Sequence, residues 1–364
     1  MCVIEAGAFA ASDAPRHQAW LQEALGRATK HTRVIVIAPG EYVLADAKGL
    51  RVPGNVEVRM AGARFVFAED QDADGQTFLV EDASNVSFYG GEIFGRRDVW
   101  DPGVNIAGIR VRGRVEELRV CGTHFENLTS NGIGVFGSEA MPIRNVTVTD
   151  VTVVNCCNFY GDYLEHNAGP AKGSAREDQG SVAFYLVDGW RVAGCRFEGS
   201  QSDGTHFYRC KNGVFIDSVV SGSQMGGYFL EGCEHVLASN NLITGNGSRG
   251  VTIERDSRFC TLQNNLIAFS GREGLWAPDV EAILVQSNLF RENGRKDDGE
   301  KHCEIRLDDS DRYKTRCAGI RIQGNIFFTS AHQTATVYLA DGVEPPDITD
   351  NTYHGPAPRL RAPG

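Results

Sequence analysis

Between Ser181 and Phe290 the chain repeats one short phrase: Val182-Ala-Phe-Tyr-Leu186, Gly204-Thr-His-Phe-Tyr208, Gly227-Tyr-Phe-Leu-Glu231, Gly250-Val-Thr-Ile-Glu254 and Gly274-Leu-Trp-Ala-Pro278. The copies start 22, 23, 23 and 24 residues apart. A second marker keeps the same beat: Cys195, Ser218, Asn241, Asn265 and Asn288 are spaced 23, 23, 24 and 23. Two independent markers with one period define a stacked repeat, and a period of about 20 to 50 residues defines a solenoid.

The composition of the unit selects the solenoid. A leucine-rich repeat needs an L-x-x-L-x-L frame, which is absent, and helical repeats need roughly 33 residues or more. The units are rich in Gly, Val, Ile, Ser and Asn, and runs such as Val146-Thr-Val-Thr and Val214-Phe-Ile read as short strands between polar turns. The pattern predicts an all-β chain, a right-handed parallel β-helix of about 10–11 coils with three short strands per coil. Asn241, Asn265, Asn288, Asn325 and Asn351 would form an internal ladder at one corner, where Asn also tolerates left-handed backbone.

The flanks fit that core. Trp20, Leu21, Ala24, Leu25 and Ala28 make one apolar stripe at helical spacing, after Ser12 or Asp13 as the cap and Pro15 in the first turn. A solenoid needs its open end covered, so residues 1–32 are expected to form a cap of strand and amphipathic helix. A single β-helix domain over 33–355 follows, interrupted by insertions at 155–180, 293–302 and 308–317. A Pro-rich tail occupies 356–364. The coil between Asn288 and Asn325 is 37 residues long because it carries two of these insertions.

The opening carries a resemblance. Gly7-Ala-Phe, a short loop, a helix and then Val36-Ile-Ala-Pro-Gly-Glu-Tyr42 resembles the start of pectate-lyase-superfamily β-helix proteins. That group includes polysaccharide lyases, glycoside hydrolases, fructan-cleaving enzymes and phage tailspikes. The usual Asp-rich part is reduced to Asp13. The resemblance covers about the first 70 residues in motif and the rest in repeat style. It implies the fold and a carbohydrate-directed activity. It does not fix the reaction, because one fold hosts many chemistries.

Alternation along each strand separates core from surface. Val251 and Ile253 must face inward, so Thr252 and Glu254 face out. Stacking the coils then gives a first outer column of Phe184, His206, Phe229, Thr252, Trp276 and Glu304. The second column is Leu186, Tyr208, Glu231, Glu254, Pro278 and Arg306. Asp203, Arg249 and Glu273 sit at the turn before these strands. An ordinary solvated face would carry Lys, Thr, Ser and Glu; this one carries His, several rings and stacked Glu.

Aromatic rings beside carboxyl groups are what a sugar site needs. Glu231 and Glu254 on neighbouring strands, about 4.7–4.9 Å apart, would repel, so that one keeps its proton and the other does not. That separation fits a retaining glycosidase better than an inverting one. The bland alternative is a solvated pair bridged by Arg249 or Arg255. His206 and Tyr208 complete the expected catalytic set. Asp203, Phe229, Arg249, Trp276, Glu304, Arg306 and His166 are the expected substrate contacts. Asp203 is similar to the Asp-bearing step of polygalacturonase-like hydrolases, whose Gly-His-Gly is absent here.

The first expectation is therefore a glycoside hydrolase or intramolecular glycosyl-transfer enzyme acting on an oligo- or polysaccharide. A polysaccharide lyase or uronate epimerase is the alternative, with Tyr208 or His206 as base and Arg306 or Arg249 as carboxylate neutraliser. A non-catalytic glycan-binding or tailspike-like protein is the third. No metal cluster and no cofactor are expected, except Ca²⁺ in the lyase case. Net charge of -11 and a pI near 5.3 speak against nucleic acid as a partner. No apolar run is long enough to span a membrane. The ten Cys show no CxxC pair and read as buried thiols, with a Cys303–Cys317 bridge as the one pairing considered. No leader is evident, which suggests the cytoplasm, or secretion if Met1 replaces a removed leader. β-Helix sides left uncovered are compatible with a trimer.

Overall fold

The computed structural model describes residues 2–4, 14–28, 33–68, 71–101, 103–158, 179–296, 302–310, 313 and 315–362. They form two compact units: Met1–Arg191 with Ser200–Ser202, and Val192–Gly199 with Asp203–Gly364. Each unit is built from right-handed parallel coils of three strands, contributing to three positions that we label sheets I, II and III. Along the described chain these positions receive 13, 12 and 12 strands, more than the 10–11 coils read from the sequence.

In the first unit the helix α1, Ala14–Gly26, closes the stack. Leu21, Ala24 and Leu25 are buried. The helix also serves amides at the start of the stack. Gln18 Oε1 accepts from the Ala45 amide, Gln22 Oε1 from the Arg51 amide and His17 Nδ1 from the Val43 amide. Buried or half-buried amides without partners destabilise a fold, so these bonds make the helix a chemical lid as well as an apolar one. Paired residues in this unit lie at uneven intervals, 23 apart in Ile35↔Val58, 30 in Val58↔Phe88 and 24 in Ile109↔Ile133, so its period is hard to see in the sequence.

The second unit keeps the 23-residue beat. A typical coil runs from Tyr228–Glu231 in sheet II to Glu234–Ser239 in sheet I and Leu242–Thr244 in sheet III. It then returns to sheet II at Val251–Glu254, in the register Phe229↔Thr252 and Glu231↔Glu254. Inward side chains stack like on like. Phe215 and Tyr228 lie 4.6 Å apart and Phe290 and Phe327 5.3 Å apart, all fully buried. Each such side chain contributes about 1.5–3 kcal/mol of burial.

The asparagine ladder is present. Asn265 Oδ1 accepts from both the amide and the side chain of Asn241, and the same pair of bonds recurs from Asn265 to Asn288, from Asn288 to Asn325 and from Asn325 to Asn351. The left-handed residue is not the ladder Asn, however. It is the residue before it: Asn240, Asn264, Ser287 and Asp350, with φ of 54–59°. The ladder side chain turns inward, while its neighbour makes the bend.

A second ladder lies at the corner that leads into sheet II. Asn246 Oδ1 accepts from the Ser223 amide, Asn293 Oδ1 accepts from the Ser270 amide, and all four residues are buried. This ladder explains the glycines that lead the repeats. A Cβ on Gly227 would sit 2.5 Å from Asn246 Nδ2 and one on Gly274 2.8 Å from Asn293 Nδ2, so only Gly fits beneath it.

The nine cysteines from Cys121 to Cys317 are free, and Cys303 and Cys317 are not bridged. No described helix is long and apolar enough to cross a membrane.

Candidate functional site

The strands Thr205–Tyr208, Tyr228–Glu231, Val251–Glu254, Leu275–Pro278, Cys303–Asp308 and Ala335–Leu339 follow one another in sheet II of the second unit. Their outward residues form the expected surface, with three corrections to its columns.

Phe184 is a core residue. It pairs with Val135 and is fully buried, because Ser181, and not Val182, stands at the position of the leading glycine. The 22-residue first spacing is the trace of that slip, and by the same step Leu186 falls after the strand, at a left-handed corner, and not on its outer face.

Glu304 is not in the groove. Trp276 pairs with Arg306 and Pro278 with Asp308, so Glu304 falls one step earlier, level with Gly274. There it is fully buried, accepting from Asn293 Nδ2 at 2.6 Å and Gln333 Nε2 at 2.7 Å. It completes the second ladder. Burial pushes its carboxyl up to about 7 despite those bonds.

Arg306 consequently moves to the first column, beside Trp276, and Asp308 takes the place expected of it. His166 lies outside the described residues.

The remaining residues meet as two clusters. In the first, Tyr208, Glu231 and Glu254 lie side by side in register. His206 Nε2 is 3.3 Å from Glu231 Oε2, and its ring stacks on Phe229 at 4.5 Å. Arg255, which the sequence offered only as a bridging partner, reaches both carboxyl groups. Its Nη1 is 2.6 Å from Glu231 Oε1 and its Nε 2.9 Å from Glu254 Oε1. Left-handed backbone at Arg255 (φ 54°), directly after the strand, turns this side chain back along the column. Gly232 holds the same position one coil earlier, and a Cβ there would meet the Arg255 carbonyl at 3.3 Å.

The two carboxyl groups have opposite electrostatics. Burial pushes Glu231 up, but the hydrogen bonds and charges of His206 and Arg255 outweigh it and hold it below the ordinary value. Burial pushes Glu254 up to about 7, against the pull of Arg255 and with the added push of Glu231. Asp203 is buried behind them and accepts from the Gly226 amide at 2.7 Å, so it braces the turn.

The second cluster surrounds Trp276. The Arg249 guanidinium lies 3.8 Å above its ring, and its Nε1 donates to Asp308. Arg249 and Arg306 both pair with buried Glu273, at 3.2 and 3.4 Å, and Arg306 pairs with Asp308 at 2.8 Å. Phe229 is only 9% exposed and is covered by His206, so Trp276 is the more accessible of the two rings expected to stack on sugar.

The late insertions border sheet II on both sides. Lys296 and Gly294 bond back to Gly271 and Ser270 at its leading edge. At its trailing edge Ser310 bonds Asp279, and the Thr315 amide reaches across to Asp256. Among the described residues no group of three metal-ligating side chains is assembled.

The second unit is thus a right-handed parallel β-helix whose glycine-led face carries a carboxyl pair and an arginine-clad tryptophan. The comparisons agree on the fold. Residues 180–355 match the family described as a right handed beta helix region. The chain is similar in structure to the A-module of the Azotobacter vinelandii mannuronan C-5 epimerase AlgE4, at 16% identity over 95% of this chain and 96% of that one, with a TM-score of 0.73. It is also similar to the Dettilon tailspike protein gp208, at 15% identity over 99% of this chain and 68% of that one, with a TM-score of 0.67. PfbA, a surface adhesin of Streptococcus pneumoniae, matches at 10% identity over 94% and 89% of the two chains, with a TM-score of 0.68. No curated protein sequence matches. The expected resemblance to pectate-lyase-type β-helix proteins therefore holds at the level of fold.

Proposed function

We propose that the second unit cleaves or transfers glycosidic bonds on the outer face of sheet II, with Glu254 as general acid and Glu231 as base or nucleophile. One observation carries this reading: two carboxyl groups in direct register, one drawn below the ordinary carboxylate value by its His and Arg neighbours and the other pushed up to about 7 by burial. Acid and base roles are assigned by environments of this kind. Arg255 keeps Glu231 charged, and His206 orients it. The similar structures include an epimerase and a tailspike, which is in keeping with a carbohydrate substrate.

Proton abstraction from a uronate is the second reading: it needs His206 or Tyr208 as base, and of these the His206 Nε2 faces Glu231 while Tyr208 lies in register beside that same carboxyl. Purely adhesive binding would leave the split between the two carboxyl groups without a use.

The test is turnover on a panel of oligosaccharides by wild-type, Glu231→Gln and Glu254→Gln proteins, with products resolved by anomeric configuration. New reducing ends that vanish in both variants support the reading, and retention supports adjacent-strand geometry. Products absorbing in the ultraviolet, or undiminished turnover in the variants, would overturn it.

A further inference from the structure

The arginines of this face invite the assumption of an acidic sugar, yet the described contacts leave them committed. Arg255 is paired with Glu231 and Glu254, Arg249 with Glu273, and Arg306 with Glu273 and Asp308. Three guanidinium groups thus face four carboxyl groups, and Asp203 stands buried behind the first pair. Arg209 and Arg272, at the two rims, also have partners. With Glu254 protonated the described cluster is balanced, with Glu254 ionised it is acidic by one charge, and buried Asp203 adds a further carboxyl in either state. The whole chain adds a net charge of -11.

A carboxylate or sulfate arriving on the substrate would have to take a guanidinium away from one of these carboxylates. Glu273 is 2% exposed and holds two arginines, so losing either leaves charge buried with weaker compensation. Like charges forced together at an interface are strongly disfavoured. What the cluster offers instead is Trp276, half-buried, with Arg249 over one face of its ring and Asp308, a hydrogen-bond acceptor, at its Nε1.

We infer that the substrate is a glycan without carboxylate or sulfate groups at the units flanking the scissile bond, recognised on Trp276 between the paired arginines. This rests on the glycosidic-cleavage reading above, and it places the protein apart from uronate-processing chemistry despite the shared fold.

The experiment is binding and cleavage of four sets of oligosaccharides: neutral, amino-bearing, uronate and sulfated. Proteins compared are wild type, Glu254→Gln, Trp276→Ala and Glu273→Gln. Expected are binding of neutral or amino-bearing chains that Trp276→Ala weakens about 10-fold or more, and uronate or sulfated binding about 100-fold weaker (a difference of about 2.7 kcal/mol,). Glu273→Gln releases positive charge and should raise uronate affinity relative to wild type. If that variant does not fold, Asp308→Asn tests the same release. Uronate cleavage that Glu254→Gln abolishes overturns the substrate class and leaves the cleavage reading standing. Neutral chains bound at Trp276 but never cut overturn cleavage and leave the class standing. Binding of none of the four sets overturns both.

Discussion

Glu254 and Glu304 are both carboxyl groups of the second unit, both almost fully buried, and both pushed by that burial to about 7. They nonetheless belong to different regions with different purposes. Glu304 sits inside the coil, and the side chains bonded to it are the amides of Asn293 and Gln333. Glu254 sits on the outer face against Arg255 and in register with Glu231. A displaced carboxyl is therefore not by itself a sign of chemistry. Neighbours decide: amide donors make a structural joint, whereas a second carboxyl with its own counter-ion makes a proton-handling pair.

The largest effect that would break this comparison is on turnover. Glu231→Gln or Glu254→Gln should each lower kcat by about 10³-fold or more, measured on any substrate found in the panel. Glu304→Gln should keep turnover within about 3-fold of wild type, because it touches no reacting group. A Glu304→Gln protein as dead as Glu254→Gln would erase the distinction.

Next come effects on stability. Asn265→Ala removes the acceptor for two Asn241 groups inside the ladder and should cost about 3 kcal/mol in denaturant unfolding. Both raised carboxyls favour the folded state at low pH. Their contribution is fully present below the ordinary value of 4.5 and is lost as pH rises through about 7. Each accounts for roughly 3 kcal/mol at most. Unfolding free energy should fall between about pH 4.5 and 7, and either Glu254→Gln or Glu304→Gln should flatten that slope by about half. Glu231, held low, acts oppositely: its contribution is present above the ordinary carboxylate value and disappears as pH falls through its lowered one.

The smallest effect is the sharpest. Arg255→Ala removes an interaction that lowers both Glu231 and Glu254, so both should rise and the pH window of turnover should move upward by about one unit. A pH–rate profile reads this directly, and a profile that stays fixed would mean that Arg255 serves the fold alone.

The repeat made much of this legible in the sequence. The period disclosed the coils, the recurring Asn disclosed one ladder, and alternation placed Tyr208, Glu231, Glu254 and Trp276 on the outside. What escaped has a common physical cause. Alternation fixes which face a residue takes, not which residue it lies beside. Glu304 and Arg306 share parity, so the 37-residue coil concealed which of them would meet Trp276. The Ser–Asn ladder is hidden in the sequence because it alternates two residue types, although Ser223, Asn246, Ser270 and Asn293 keep intervals of 23, 24 and 23. In the sequence Arg255 reads only as a bridge that would neutralise the pair. Its position at a left-handed corner, repeated at Arg209, Gly232 and Asp279, gives it the reach to set both carboxyl groups.

The corner of paired asparagines has one further consequence. There the turn from sheet I to sheet III stays at two residues, as at Asn240-Asn241 and Asn264-Asn265, because each amide must meet the next. Extra chain has no place to enter without breaking the column. The two late insertions lie instead at the corners on either side of the sheet II strand Cys303–Asp308, at 293–302 and 308–317. The ladder thus decides where the second unit can take up extra chain: the rims of the sheet II face are open to it, and the opposite corner is closed.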